Sequence, residues 1–150
     1  MSVHTLFVMG SWLIALLFVM SAVGKASNWT GTIQLMKAHN IPLPELGLAG
    51  SLVVEMAGAA CLVFGVYLWP AVIVLSAYVL LATLFIHVTD AARNQGRQQA
   101  IPAILSNIAI VGGLLLVLAV RGAQASKLAN AWEMIMQVRK NREIIRRTHA

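Results

Sequence analysis

Among the side chains that could do chemistry, Glu55 is the most informative, because it lies inside a long apolar stretch. The stretch from Leu46 to Val66 contains no other charged side chain. A charge near the middle of a lipid bilayer costs about 2.5–3.5 kcal/mol on insertion scales, so such a residue normally faces protein and has a partner. Glu55 therefore predicts a buried polar site, in which it either handles protons or serves as a protonated structural carboxyl.

Three further polar residues fall in the same half of the membrane. Lys25 ends one apolar run and His87 ends another, while Glu55 lies about 13 Å and Asn107 about 9 Å inward from that side. Together they predict a polar pocket that opens toward one membrane face, with Glu55 and His87 available for proton exchange. Each also has a structural alternative: Asn107 as an interhelical hydrogen bond, Lys25 as a snorkelling end residue, His87 as a solvated imidazole.

Four apolar runs must position these residues. The chain has 150 residues, of which 59% are hydrophobic and 11% charged, and each run reaches the length of about 20 residues that a membrane-spanning helix needs. Helices satisfy their own backbone hydrogen bonds in lipid, so we expect an all-α integral membrane four-helix bundle. The predicted spans are residues 6–24, 46–66, 69–88 and 101–120.

The segments outside the spans carry predictions of their own. In the first loop, Asn28 is a candidate cap for a short interfacial helix that ends near Lys37, and the prolines at Pro42 and Pro44 then predict an extended turn. This loop would cover one end of the bundle as a lid. We divide the chain into a four-span domain, residues 1–122, and a basic amphipathic tail, residues 123–150.

The tail combines apolar and cationic residues at helical spacing. Its predicted docking residues are Trp132, Ile135, Arg139 and Arg142. They would bind either anionic lipid head groups or a protein partner in a membrane complex. The sequence pI of about 10.3 comes largely from this tail, and with the remaining chain in lipid we expect no nucleic-acid partner.

The sequence offers no set of residues that would hold a redox cofactor. Cys61 is the single cysteine, which excludes a disulfide or CxxC pair within the chain. His39, His87 and Glu55 lie on separate segments without metal-ligand spacing, so we expect no metal site. We therefore assign no catalytic residue and no covalently bound cofactor, and we do not expect an enzyme that acts by itself. The ligand that we expect from the apolar composition is lipid.

The distribution of lysine and arginine bears on orientation. Four spans place both termini on one side, and more cations follow the fourth span than occupy the two loops on the opposite side. The positive-inside rule then predicts that both termini are cytoplasmic.

Several short stretches, taken together and in chain order, resemble the DoxX family of small bacterial membrane proteins. The resemblance covers about residues 6–122 and implies an inner-membrane protein associated with redox systems, such as the membrane part of a thiosulfate:quinone oxidoreductase. The basic tail departs from the family pattern and suggests a partner of its own. The stretches are Ser21–Lys25, Asn40–Pro44, Glu55 with Gly58, Leu62–Gly65, His87 and Asn107.

Two classes of function stay open at this point. In the first, the chain is an accessory or anchoring subunit of a quinone-linked redox or respiratory complex, with a polar pocket around Glu55 and electrons supplied by a partner's cofactor. In the second, it is a transporter or sensor of a small solute, proton-coupled through Glu55 and acting as an oligomer.

Overall fold

The computed structural model describes residues 2–89 and 97–148, with the side chains of residues 2–89 and 98–142. These residues form helices and turns without any β-strand, so the prediction of an all-α fold is confirmed. The helices are α1 (Val3–Ser27), α2 (Trp29–Ala38), α3 (Pro44–Phe64), α4 (Leu68–Ala82) and α5 (Arg97–Thr148). A π-helical segment, Thr83–Val88, directly continues α4.

Among the residues that the structure describes, four helical segments are long and apolar enough to cross a membrane: Val3–Ser27, Pro44–Phe64, Leu68–Val88 and Gln98–Arg142. Large apolar side chains on all four are exposed in the isolated chain, among them Leu13, Val53, Leu84 and Leu116. Soluble proteins do not expose such continuous apolar surface, whereas lipid covers it without cost. The chain is therefore an integral membrane protein, as its composition predicts.

The ends of the helices differ from those of the apolar runs that predicted them, because they depend on caps and backbone geometry. The span predicted as residues 46–66 is α3, which ends earlier, at Phe64, because Gly65 follows in a left-handed conformation. Ser2 caps α1 by accepting a hydrogen bond from the Thr5 amide, and Pro44 occupies the first position of α3, where its missing N–H costs nothing. The fourth predicted span, 101–120, lies within the much longer α5. Most of the predicted loop between Thr89 and Ala100 lies outside the described residues.

The first loop contains the short helix that its sequence predicts, with one difference at its start. Asn28 is the N-cap residue of α2, but its side chain makes no capping hydrogen bond. Its backbone carbonyl instead accepts a hydrogen bond from the Thr32 hydroxyl at 2.9 Å. After α2, the chain turns through Asn40 and Leu43, which both have positive φ angles near 50°, and so enters α3.

The interior of the bundle is a close-packed apolar core from several helices. Phe18 of α1, Leu62 of α3, Leu75 of α4 and Leu114 of α5 are almost completely buried and belong to one cluster. Two helices approach closely at Gly58 of α3, where a Cβ atom would lie 2.6 Å from the Leu75 side chain of α4. A glycine at this position therefore lets α3 and α4 pack together.

The chain divides into two compact units, Met1–Leu118 and Ala119–Ala150. The first contains the core and the four candidate site residues Lys25, Glu55, His87 and Asn107. The second is helical through Thr148, and its apolar side chains are exposed, with Leu128 at 73% and Trp132 at 64%.

Candidate ligand-binding site

Glu55 is placed in the bundle interior by the helical repeat of α3. The buried residues Leu48, Glu55, Ala59 and Leu62 are spaced by seven, four and three positions, which puts them on one face of the helix. Glu55 is 1% exposed. A carboxyl at this depth needs hydrogen-bond donors, and the neighbouring helices supply them.

Two donors from α1 reach the same carboxyl oxygen. The Lys25 ammonium donates to Glu55 Oε1 at 2.5 Å, and the Ser21 hydroxyl donates to that oxygen at 2.9 Å. Lys25 and Ser21 are four residues apart, so one face of α1 presents both. The other oxygen, Glu55 Oε2, is buried and has no hydrogen-bond partner in the described part of the chain. Hydrogen bonds between an ammonium and a carboxyl oxygen are among the stronger hydrogen bonds in proteins.

A third helix joins the pair through Tyr78 of α4. The Lys25 ammonium donates to the Tyr78 hydroxyl oxygen at 2.6 Å, and the same nitrogen lies 5.2 Å from the centroid of the tyrosine ring. Because the Tyr78 oxygen accepts this bond, its own hydrogen can donate either to the neighbouring Ser51 or to a bound group. Lys25 therefore connects α3 to α4 from its position on α1.

The π-helical segment and α5 complete the polar lining. The Asn107 side-chain amide donates to the Thr83 hydroxyl at 2.8 Å, and Thr83 in turn donates to the backbone carbonyl of Val79 at 2.7 Å. His87 lies in the same π-helical segment. Segments of this type add a residue to a helical turn and are frequent at functional sites.

These groups surround a cavity of about 300 Å³. All four residues of the predicted polar pocket line it, so the tertiary structure brings together side chains from four separate segments. Its size is at the lower end of the range for small-molecule pockets. The complete lining is Leu17, Phe18, Ser21, Lys25, Leu35, Glu55, Tyr78, Val79, Ala82, Ile86, His87, Asn107 and Ile110.

Tyr78 is the residue of this site that sequence reasoning missed. It lies in the middle of an apolar span, whereas tyrosines of membrane helices are enriched at the two interfaces. That unusual depth is the signal that could have identified it. Two nearby serines bond within their own helices: Ser51 donates to the Leu48 carbonyl, and the exposed Ser106 donates to the Ala103 carbonyl.

The tail residues form a separate candidate surface in the second unit. Trp132 and Ile135 are exposed, at 64% and 53%, and Arg139 and Arg142 are exposed as well. A shallow recess of about 370 Å³ is lined by Met134, Ile135, Val138, Arg139 and Arg142. The apolar and cationic side chains predicted for docking are thus on the surface, and their role stays a prediction.

Comparison with known proteins decides the family. The model of the DoxX family matches residues 8–88, which is more than half of the chain. The chain belongs to the DoxX family. The resemblance predicted from its short stretches is thereby confirmed. No curated protein and no solved structure matches the chain.

The DoxX match includes most of the polar cluster but not all of it. Ser21, Lys25, Glu55, Tyr78 and His87 lie within residues 8–88, on the first three spans. Asn107 and the tail lie beyond the matched residues, although the predicted resemblance extended to residue 122. In this DoxX protein, therefore, α5 adds its own polar group to a cluster that the family-matched part already contains.

The chemistry available at the DoxX cavity follows from its hydrogen bonds. A lysine ammonium has three N–H donors, and Lys25 directs them toward Glu55, Tyr78 and the cavity that it lines. A bound group with an accepting oxygen would meet a cation and a phenol at one end and apolar walls at the other. The described residues contain no group of three or more His, Cys, Asp or Glu side chains placed to hold a metal ion.

Proposed function

We propose that this DoxX protein is an accessory or anchoring subunit of a quinone-linked redox complex in the bacterial inner membrane, and that the cavity around Glu55 binds the quinone head group. The observation that carries the proposal is the part-buried cluster of Lys25, Glu55 and Tyr78 at the wall of a cavity with otherwise mostly apolar lining. A quinone head group combines accepting carbonyl oxygens with an apolar ring, which matches that lining.

The residues of the cavity would stabilise charge and move protons. A quinone takes up two electrons and two protons when it becomes a quinol. Lys25 and Tyr78 would donate hydrogen bonds to one carbonyl oxygen and so stabilise the negative charge that reduction places there. Glu55, held by Lys25, would keep that ammonium charged and in position. His87, which lines the cavity, would exchange protons with it through its imidazole nitrogens.

The electrons would come from another subunit. The single cysteine and the scattered histidines of this sequence match no haem, flavin or iron–sulfur motif. The second unit offers a surface for such a subunit, because Trp132 and Ile135 are exposed beside Arg139 and Arg142. A partner that fits this surface would present an apolar patch flanked by carboxylates. With the positive-inside rule, we place this tail and the N-terminus in the cytoplasm.

The direct test is the binding of ubiquinone-1 to the purified full-length chain in lipid nanodiscs. Tyr78→Phe removes only the hydroxyl from the cluster, and Tyr67→Phe is its matched control, because Tyr67 is 79% exposed. A hydrogen bond of this kind contributes about 0.5–1.5 kcal/mol, so Tyr78→Phe should weaken binding up to about tenfold. Tyr67→Phe should leave it unchanged. If wild-type protein does not bind the quinone, the proposal is wrong.

A second test addresses the role of Glu55 in the assembled complex. Glu55→Gln preserves the size of the side chain and removes its charge, and Glu45→Gln is the control on the same helix, where the carboxylate is exposed and paired with Lys37 at 3.3 Å. We expect Glu55→Gln to reduce quinone-linked turnover without loss of assembly, and Glu45→Gln to do neither. Unchanged turnover together with Glu55-dependent solute uptake into proteoliposomes would favour the alternative, an oligomeric transporter.

A further inference from the structure

A second, larger cavity of about 450 Å³ lies between α2, α3 and α4. Its polar lining consists of Lys25, Thr32, Ser51 and Tyr78, and the other lining residues are apolar. Leu35, Leu81 and Phe85 are between 44% and 54% exposed, so the cavity borders the outer surface of the bundle beside α2. The remaining lining residues are Met36, Ile41, Gly47, Leu48, Ala82 and Ile86.

The two cavities share a common wall. Lys25, Leu35, Tyr78, Ala82 and Ile86 line both of them. The donors of the proposed head-group site, Lys25 and Tyr78, therefore stand between the smaller cavity around Glu55 and the larger apolar one. A molecule that accepts a hydrogen bond from these donors has an apolar space directly beside its head group.

From this arrangement we infer that the larger cavity holds the hydrocarbon tail of the quinone, which makes the ligand a long-tailed prenyl or alkyl quinone. The inference rests on the proposed function. A chain of CH₂ or isoprene units in an apolar cavity makes dispersion contacts with the lining atoms. Lipid tails are as apolar as the tail of the quinone, so apolarity alone does not draw the quinone tail into the cavity. Its position there depends on packing against the lining residues and on its covalent link to the head group.

The test is photo-crosslinking in nanodiscs with an ubiquinone analogue that carries a diazirine at the end of its tail. Mass spectrometry of the labelled protein should locate the tail at residues of the larger cavity, such as Met36 and Ile41. Unlabelled decylubiquinone should compete for this labelling, and Tyr78→Phe should weaken it while Tyr67→Phe does not. Labels confined to lipid-facing residues such as Leu13 and Leu84 would overturn the inference.

A cavity-filling variant provides an independent measurement. Thr32→Phe adds a ring on the α2 side of the larger cavity, and Thr30→Phe adds the same ring at an exposed position of the same helix that lines neither cavity. Thr32→Phe should abolish labelling at Met36 and Ile41, and Thr30→Phe should leave it unchanged. Labelling that persists in Thr32→Phe would count against a tail in this cavity.

The outcomes separate the two proposals. Absence of ubiquinone-1 binding contradicts the proposed function itself. Head-group binding without competed labels in the larger cavity leaves the proposed function intact and overturns the tail site alone. The same experiment is repeated with a phospholipid that carries a diazirine on its acyl chain. If this lipid labels Met36 and Ile41 and excess quinone does not displace it, the cavity is a lipid site.

Discussion

The ammonium of Lys25 on α1 lies 2.5 Å from the carboxylate of Glu55 on α3, although the two residues are 30 positions apart in the chain. The Glu55 side chain is 2% exposed and the Lys25 side chain 27%. The Glu55 carboxylate therefore lies in the bundle interior, whereas the Lys25 ammonium lies in a more accessible position. This asymmetry is suited to a site that presents a cation to a ligand and keeps its counter-ion protected.

Removal of the carboxyl should destabilise the protein, because it leaves the Lys25 ammonium without its counter-ion. Loss of one partner of a buried ion pair costs about 3–5 kcal/mol, and we expect the lower end of that range for Glu55→Leu because Lys25 keeps some exposure. Glu45→Leu, which breaks the exposed pair with Lys37, should cost less than about 1 kcal/mol. Thermal unfolding in detergent compares the two variants. Equal midpoints would contradict a structural contribution of the buried pair.

Gly58 should not tolerate a methyl group. A Cβ atom at this position would lie 2.6 Å from the Leu75 side chain, whereas nothing lies within 4 Å of a Cβ at Gly50. We expect Gly58→Ala to destabilise the bundle by about 1–3 kcal/mol through overpacking. Gly50→Ala on the same helix should be neutral or stabilise by up to about 1 kcal/mol. The free energy of unfolding, obtained by titration with a denaturing detergent, is the quantity to compare.

The contact between Gly58 and Leu75 can be isolated further with a double variant. Leu75→Ala opens the space that the methyl group of Gly58→Ala needs, so the two substitutions should be less damaging together than their sum. A coupling energy of about 0.5–3 kcal/mol is the range for residues in direct contact. Strict additivity would show that a methyl group at position 58 does not clash with the Leu75 side chain.

Asn107 should contribute modestly to stability and more to the shape of the cavity. Its amide donates to Thr83 at 2.8 Å, and interhelical hydrogen bonds in membrane proteins average about 0.6 kcal/mol. Asn107→Ala should therefore lower the unfolding free energy by about that amount. Ser106→Ala, which removes a hydroxyl bonded only to its own helix, should have a smaller effect. An Asn107→Ala variant as stable as Ser106→Ala would indicate that this bond contributes nothing.

The tail should act through the position of its charges if it docks onto a protein. Arg139→Glu combined with Arg142→Glu should abolish co-purification of the partner subunit, because both arginines border the recess that Met134 and Ile135 also line. Lys127→Glu combined with Lys140→Glu changes the net charge equally outside that recess and should preserve the partner. Equal loss with both pairs would instead indicate general attraction to anionic lipid.

Sequence reasoning identified the spans because hydrophobic length is a local property. The lone carboxyl of Glu55 also marked a buried site by itself, since insertion of a charge into lipid requires a partner whatever the fold. Depth along a helix follows from counting residues, so Lys25, His87 and Asn107 could be assigned to the same half of the membrane. The family resemblance likewise depends on the order and spacing of short stretches, which the chain displays directly.

Only the tertiary structure decided which of these groups meet. Helix rotation is set by packing between α1, α3 and α4, and it turns Tyr78 toward Lys25. The depth of Tyr78 in its span does not reveal this partner. The shared wall of the two cavities also arises from contacts between distant segments. The sequence by itself determined a membrane bundle with one costly carboxyl; interhelical packing decided its partners and the space beside it.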